Sequence, residues 1–228
     1  MREPAVAGAF YPGDREEIAE MLAAFKERAK PAKKKTDAVV APHAGWIYSG
    51  ATAMHSFLAL EKKKTYVVIS PNHTGAGAPV ALSGEDWETP LGTVKNDKTL
   101  VKELSVSFEI SEAAHKREHS VEVQLPFLQF LFGDFSFVPI TMMDQSLEAA
   151  KMVAERLAES KKDFAVVASS DFTHYEPAPI AKEKDMAVID ALLKMDAHVF
   201  YEKLRETRAT ACGFGPIAAA MLWAKKKG

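Results

Sequence analysis

The sequence predicts a single α/β domain with a central, largely parallel or mixed β-sheet flanked by helices. Two observations predict this fold class. Five apolar, β-branched runs are continuous rather than alternating, as in strands that are covered on both faces, and helical patterns lie between them. No linker-like segment divides the chain, so we expect one domain over residues 1–228.

The predicted elements alternate along the chain. Strands are expected at Ala38–Ala41, Tyr66–Ser70, Val80–Leu82, Phe137–Ile140 and Phe164–Ala168. Helices are expected at Arg15–Ala29, Ala51–Leu60, Asp97–Leu104, Ser120–Phe132, Ser146–Ser160, Ile180–Lys194, Ala197–Arg205 and Pro216–Lys226. This alternation favours parallel strands joined by helical crossovers.

The composition excludes several classes of protein. The 29 basic and 31 acidic residues nearly balance, so the strongly basic face typical of nucleic-acid-binding proteins is not expected. No apolar run approaches the ~20 residues that span a bilayer, and the N-terminus lacks the basic start and apolar stretch of a signal peptide. Cys212 is the only cysteine, so no intrachain disulfide can form. We expect a cytoplasmic protein that binds neither nucleic acid nor membrane.

A repeated arrangement marks one edge of the predicted sheet. Three times a lysine run leads into a buried strand, and three times a histidine follows that strand: His43, His73 and His174, the last preceded by Asp171. Open parallel sheets bind ligands in the crevice outside the carboxyl ends of their strands. Neutral imidazole is the commonest metal ligand and also titrates near neutrality. A shared cluster could therefore bind a metal, transfer protons, or do both.

The remaining histidines and the cysteine are less informative. His119 lies just before an apolar helix, where capping the helix and lining a pocket both stay open. His55 and His198 lie in helical patterns and His115 in a charged loop, and we expect all three to be structural or solvated. Cys212 precedes a predicted helix, whose positive end favours a thiolate. A lone cysteine is also commonly a small buried hydrophobe.

Common catalytic templates are absent from the sequence. It contains no G-x-S-x-G elbow, no G-x-G-x-x-G after the first strand, no Walker loop and no H-E-x-x-H. Hydrolysis by Cys212, activated by a neighbouring histidine, stays as a lesser alternative because it would leave the other histidines without a role.

Six ordered blocks of sequence resemble the Memo family (mediator of cell motility in animals, widespread in archaea and bacteria). The blocks are Val6–Pro12, Ala41–Gly50, Ser70–Gly75, Glu118–Pro126, Ser169–Tyr175 and Thr210–Gly213. The resemblance covers nearly the whole chain. That family is structurally similar to class III extradiol dioxygenases, non-haem iron enzymes that open catechol rings. The resemblance therefore implies their α/β fold, with a metal pocket at the end of the sheet.

The resemblance also implies roles for individual residues. The dioxygenases bind Fe(II) with two histidines and a glutamate. Matched by motif, His43 and His73 correspond to the histidine ligands and Cys212 stands where the carboxylate would be. His174 matches the acid/base histidine, and Asp171 is a second catalytic candidate. Further pocket residues are expected to be His119, Tyr48, Asn72 and Glu118.

A thiolate in place of the carboxylate alters the expected chemistry. The softer site suits copper(I) or zinc while leaving iron open. We therefore expect one metal ion, iron or copper before zinc, and ring cleavage becomes doubtful. The first hypothesis is a metal-binding protein with a redox-active, dioxygenase-like pocket. The alternative is a non-enzymatic protein that binds a peptide or small ligand in a vestigial dioxygenase pocket. The family's prokaryotic members also imply a functional link to a radical-SAM protein.

The end of the chain departs from the family pattern. Family members usually continue beyond the helix that here ends in Lys225–Gly228, with a segment of β-strand character. A domain without that segment would leave a sheet edge or one side of the pocket uncovered, and an uncovered edge favours pairing with another chain. We therefore expect either self-association into a homo-oligomer or a partly disordered C-terminal region.

Overall fold

A computed structural model describes residues 1–30 and 33–227 and has the predicted α/β fold. Among these residues, the strands are β1 (Ala38–Ala41), β2 (Thr65–Pro71), β3 (Val80–Leu82), β4 (Trp87–Thr89), β5 (Gly92–Asn96), β6 (Glu109–Ile110), β7 (Ser136–Met142) and β8 (Ala165–Ser169). The helices are α1 (Arg15–Arg28), α2 (Trp46–Ala59), α3 (Lys98–Leu104), α4 (Glu112–His115), α5 (Leu125–Phe132), α6 (Leu147–Glu159), α7 (Ala178–Leu193), α8 (Ala197–Thr207) and α9 (Phe214–Lys227). The predicted domain end at Gly228 lies outside the described residues.

The sheet is mixed and mostly parallel, as predicted. Its strand order is β1-β8-β2-β7-β3-β6, with β5 also paired to β7 and β4 paired to β5. The first four strands of this order are parallel, whereas β3 runs antiparallel to β7. Ala41 pairs with Ser169 and Ile69 pairs with Ala168, so β1, β8 and β2 end at the same edge. The three predicted histidine-bearing loops therefore leave the sheet side by side.

Two hydrophobic cores cover the sheet, one on each face. Along β2, Val67 and Ile69 belong to one core and Tyr66 and Val68 to the other, because successive strand residues point to opposite faces. The first core packs the sheet against α3 and α6 to α9, and the second packs it against α1, α2 and α5. Burial on both faces explains why β2 is a continuous apolar run in the sequence.

Side-chain caps set the start of several helices. Asp14 accepts hydrogen bonds from the backbone N–H groups of Glu16 and Glu17 at the start of α1. Ser146 begins α6 in the same way. Such caps satisfy backbone donors that a helix leaves without internal partners. At the C-terminal end of α5, Gly133 adopts a φ of 75°, which glycine reaches without steric cost.

Arg2 joins the start of the chain to the segment that leads into the site. Its guanidinium forms a buried ion pair with Glu122 at 2.8 Å. It also donates to the backbone carbonyls of His115 and Glu118, both at 2.8 Å, and lies 4.0 Å from the ring centroid of Trp87. The contacts fix the backbone on which Glu118 stands.

The structure adds elements that the sequence did not predict. The β4–β5 hairpin, the two-residue β6 and the four-residue α4 were all missed, and α2 begins at Trp46 rather than Ala51. His115 ends α4 and is fully buried, with Nε2 3.2 Å from the carbonyl oxygen of Ala81. His115 is thus structural, which was one of the two predicted alternatives. The predicted charged loop at this position is wrong, because Glu112–His115 form α4.

β1 stands at one end of the strand order and has no strand on its outer side within residues 1–30 and 33–227. Self-association through an uncovered edge stays a prediction.

No helix of the described chain combines the length and apolarity needed to cross a bilayer.

Candidate metal centre

Four chain segments bring the three predicted ligands and the catalytic candidate Asp171 together. His43 lies two residues after β1, His73 two residues after β2 and Asp171 two residues after β8. Cys212 lies two residues before α9. Because β1, β8 and β2 end at one edge, these residues meet in the crevice expected of an open parallel sheet.

His43, His73 and Cys212 form one compact group of donor atoms. One ligand atom from each lies within 4.8 Å of the other two. The Sγ atom of Cys212 is 3.1 Å from Nε2 of His43. The rings of His43 and His73 meet edge to face, with centroids 5.2 Å apart. The strand ends predicted that His43 and His73 converge, and the family resemblance implied that Cys212 joins them.

The ring of His43 is buried. On the side away from Cys212 it is positioned by the side chains of Ser169 and Gln124. Its Nδ1 lies 2.9 Å from the hydroxyl of Ser169, and the amide nitrogen of Gln124 lies 2.7 Å from that same hydroxyl. The Ser169 hydroxyl in turn donates to the backbone carbonyl of Ser120 at 2.7 Å. The backbone N–H of His43 donates to Oδ1 of Asp171 at 2.9 Å. Contacts on several sides thus fix the ring.

His73 is oriented by the buried carboxylate of Glu118. Nδ1 of His73 lies 2.9 Å from Oε1 of Glu118, and its backbone N–H donates to Oε2 at 2.6 Å. The hydroxyl and the backbone N–H of Ser120 also donate to Oε1. A carboxylate that receives the Nδ1 proton leaves Nε2 as the ring nitrogen that faces outward to a ligand.

Cys212 lies against the end of β8, where a glycine makes room for it. The backbone N–H of Asp171 donates to Sγ at 3.3 Å. A Cβ atom added to Gly213 would lie 2.4 Å from the carbonyl oxygen of Ser169 and 2.7 Å from Cβ of Ser170. Only glycine therefore lets the start of α9 approach the strand this closely.

The ring of His119 lies beside that of His73 at the same edge of the sheet, and its role in a pocket stays a prediction. Its ring stacks on that of His73 with centroids 4.7 Å apart and lies 4.5 Å from the ring of Phe10. Its Nδ1 is 3.5 Å from Oε1 of Glu118. His73, Glu118 and His119 thus form a second group of neighbouring donor atoms beside the first.

The two predicted catalytic residues lie beside Cys212. Asp171, His174 and Cys212 each offer a donor atom within 4.8 Å of the other two. Oδ2 of Asp171 is 3.7 Å from Nε2 of His43. His174 is half-buried, and its Nδ1 donates to the carbonyl of Thr210 at 2.9 Å, which leaves its Nε2 without the proton when the ring is neutral.

Two predicted pocket residues, Asn72 and Tyr48, are not hydrogen-bonded to the donor residues. The side chain of Asn72 organises its own loop, since Nδ2 donates to the carbonyl of Ala76 and Oδ1 accepts from Thr74 and Gly75. Tyr48, on the first turn of α2, is 82% exposed. Within the described residues, neither side chain forms a hydrogen bond with the three donor residues.

Charge distribution in the crevice is uneven. Burial lowers the pKa of His43 to about 3, and the carboxylate of Asp171 offsets only part of that effect. Burial also lowers the pKa of His73, but hydrogen bonds with Cys212 and Glu118 outweigh it and raise the pKa to about 10. Burial raises the pKa of Glu118, whereas the hydrogen bonds from His73 and Ser120 bring it to about 2. Without a metal ion, these shifts favour a neutral His43 beside an ion pair of His73 and Glu118, and a metal at His73 would have to displace the proton on Nε2.

Residues that support the donors escaped the sequence analysis. Ser120, Gln124 and Ser169 lie within blocks that carried the family resemblance, yet nothing in the sequence pairs them with a particular histidine. A buried serine beside a catalytic candidate is a weak signal, because buried hydroxyls usually satisfy backbone groups.

Comparison with known proteins agrees with the six sequence blocks. A sequence profile described as "Memo-like protein" matches residues 2–228. A MEMO1 family protein of Methanosarcina acetivorans is 46% identical over 234 residues, covering 100% of this chain and 88% of the relative. MEMO1 family proteins of Archaeoglobus fulgidus and Nitrosopumilus maritimus are 44% and 42% identical, with the same two coverages. The chain belongs to the Memo-like family.

Proposed function

We propose that the protein binds one metal ion through His43, His73 and Cys212, and that this centre is redox-active. Iron or copper is the proposed metal, with zinc as the redox-inert possibility. The proposal depends on one observation: three donor atoms from three separate segments lie within 4.8 Å of one another in a crevice. In a tetrahedral site with Zn–N of 2.0–2.1 Å and Zn–S of 2.3 Å, ligand atoms lie about 3.5 Å apart.

The chemistry of the donors supports a metal as the occupant. Two imidazoles and one thiolate form a set that suits copper, zinc and iron. Each histidine has an acceptor for its Nδ1 proton, Ser169 for His43 and Glu118 for His73, as metal-binding histidines commonly do. When bound, iron or copper would supply one-electron or O₂ chemistry to the crevice.

Asp171 and His174 are proposed to handle protons beside the centre. Oδ1 of Asp171 accepts from the backbone N–H groups of His43 and Ala44, so its position is fixed while Oδ2 faces the crevice. His174, with Nδ1 bonded to Thr210, presents Nε2 as a proton acceptor or, when charged, as a donor. The thiolate in place of a carboxylate makes catechol ring cleavage doubtful.

Binding of a peptide or small ligand without catalysis is the second candidate function. Exposed apolar side chains favour it: Ile47 and Tyr48 follow the loop of His43, and Tyr175 follows His174. A ligand in the crevice would contact such residues. The family relationship also suggests a functional link to a radical-SAM protein.

Elemental analysis of protein purified without chelator or nickel affinity resin tests the proposal. We expect about one iron or copper ion per chain in the wild type, and loss of it in His43→Ala and Cys212→Ser. The matched control is His198→Ala, which removes an exposed histidine on α8. Wild type without metal, and equal metal content in all variants, would each contradict a centre at these residues.

Alkylation of Cys212 separates the two candidate functions. As the only cysteine, it gives an unambiguous signal with iodoacetamide. If Sγ ligates the metal, adding Fe(II), Cu(I) or Zn(II) should slow alkylation and removing the metal should restore it. One alkylation rate under all conditions would favour the ligand-binding function. Cys212→Glu should gain Fe(II) affinity, because it restores a two-histidine, one-carboxylate set.

A further inference from the structure

A chain of hydrogen bonds behind His43 determines which ring nitrogen carries a proton. The chain begins at Gln124, which is fully buried. Its amide nitrogen lies 3.0 Å from the carbonyl oxygen of Pro42 and 2.7 Å from Oγ of Ser169. A backbone carbonyl only accepts, so the group facing Pro42 must be the NH₂.

In this orientation the side-chain amide of Gln124 leaves its buried oxygen without a hydrogen bond in the described part of the chain, but the reverse orientation is less favourable. Oε1 of Gln124 has no hydrogen-bond partner among the described residues. Turning the amide over would place Oε1 against the carbonyl oxygen of Pro42, where two acceptors repel. The NH₂ therefore faces Pro42 and Ser169, and it donates to Oγ of Ser169.

The hydroxyl of Ser169 is left with one possible role toward His43. A serine hydroxyl donates one proton and accepts two. Its proton goes to the carbonyl oxygen of Ser120, 2.7 Å away, because that oxygen cannot donate. One lone pair accepts from Gln124. The remaining lone pair faces Nδ1 of His43 at 2.9 Å, so Nδ1 must be the donor.

We propose that Ser169 and Gln124 are positioning residues that keep a proton on Nδ1 of His43 and thereby reserve Nε2 for the metal. Nε2 is the nitrogen that faces Cys212, 3.1 Å from Sγ. Loss of the hydroxyl would let the proton move to Nε2, where a metal would have to displace it. This inference rests on the proposed metal centre, and it adds the device that orients one ligand.

Nitrogen-15 NMR of the metal-free protein tests the position of the proton directly. The imidazole nitrogens of His43, assigned by their loss in His43→Ala, should show Nδ1 as the protonated nitrogen in the wild type. In Ser169→Ala the form protonated at Nε2 should become populated. Ser56→Ala is the matched control, because its hydroxyl also donates to a backbone carbonyl, that of Val40, without contacting His43. An unprotonated Nδ1 in the wild type would overturn the proposal whether or not Ser169→Ala folds.

Zinc titration measures the consequence for the centre. Zn²⁺ affinity should fall about 10- to 100-fold in Ser169→Ala, the usual effect of removing the partner of a metal-binding histidine. Ser169→Thr keeps the hydroxyl and should retain more affinity than Ser169→Ala, and Ser56→Ala should match the wild type. Equal affinity of Ser169→Ala and wild type would refute the positioning role while leaving the metal centre standing. A wild type that binds neither Zn²⁺, Fe²⁺ nor Cu⁺ would refute the proposed function, and the NMR spectra would still decide where His43 carries its proton.

Discussion

Replacing Arg2 with alanine should destabilise the fold strongly, although residue 2 lies near the start of the chain. The guanidinium is buried, pairs with Glu122, and donates to the carbonyls of His115 and Glu118. Glu122 in turn accepts hydrogen bonds from the hydroxyl of Tyr11 and from two backbone N–H groups near the start of the chain. Arg2→Ala would leave this carboxylate buried without its cation and two carbonyls without a donor.

The magnitude follows from the contacts that disappear. Removing one partner of a buried ion pair costs about 3–5 kcal/mol, because the remaining charge stays uncompensated. Loss of the cation over Trp87, at 4.0 Å, removes a further contact of about 1 kcal/mol. These effects overlap, so we expect a loss of about 4 kcal/mol. For a chain of 228 residues that corresponds to a fall in Tm of about 8–16 °C.

Urea unfolding followed by circular dichroism measures the loss. Arg15→Ala is the control, since Arg15 also donates to a backbone carbonyl, that of Leu91, but at an exposed position. The control should lose less than about 1 kcal/mol. If Arg2→Ala were no more destabilised than Arg15→Ala, the buried contacts of Arg2 would not stabilise the fold in the way described.

Three further predictions concern the crevice and the amino end of the sheet. Glu118→Gln should weaken metal affinity about 10- to 100-fold in a Zn²⁺ titration, because His73 loses the carboxylate that orients it, and unchanged affinity would contradict that role. Gly213→Ala should lower both metal affinity and the free energy of unfolding, since its Cβ would lie 2.4 Å from a backbone carbonyl at the end of β8, and wild-type values for both would show that the loop can shift at little cost. Burial raises the pKa of Asp97, but the hydrogen bonds from Lys162, Leu100 and Thr65 and the charge of Lys162 together outweigh it and hold the pKa below its ordinary value of 3.8. The stability advantage of wild type over Asp97→Asn should therefore be present at neutral pH and shrink as the pH falls below about 3.8, and a pH-independent difference in urea unfolding would refute this.

The sequence was sufficient to predict the parts of the fold that are buried on both faces. β2 and β8 are continuous apolar runs, and residues covered by helices on either side leave such runs in any sequence. The β4–β5 hairpin escaped because its strands are short and alternate between buried and partly exposed residues. β6 has two exposed residues, Glu109 and Ile110, and depends on pairing with β3. Patterns of hydrophobicity do not encode such pairings.

The candidate site was predictable to the level of backbone placement. Strand ends located His43 and His73, and Cys212 came from the family resemblance rather than from spacing. The supporting contacts were not predictable, because they depend on rotamers and on the register of β1 against β8, which puts Ser169 opposite Ala41. Glu118 was named as a pocket residue, but its hydrogen bonds to His73 depend on a turn that no sequence pattern specifies.

Anomalous scattering from a crystal of metal-loaded protein tests the central claim most directly. Data collected at the absorption edge of the bound metal should show one peak per chain. We predict that this peak lies about 2.0–2.3 Å from Nε2 of His43, from His73 and from Sγ of Cys212. A peak bound by Asp171 and His174 without His43, or no peak in protein that contains stoichiometric metal, would contradict the proposed centre.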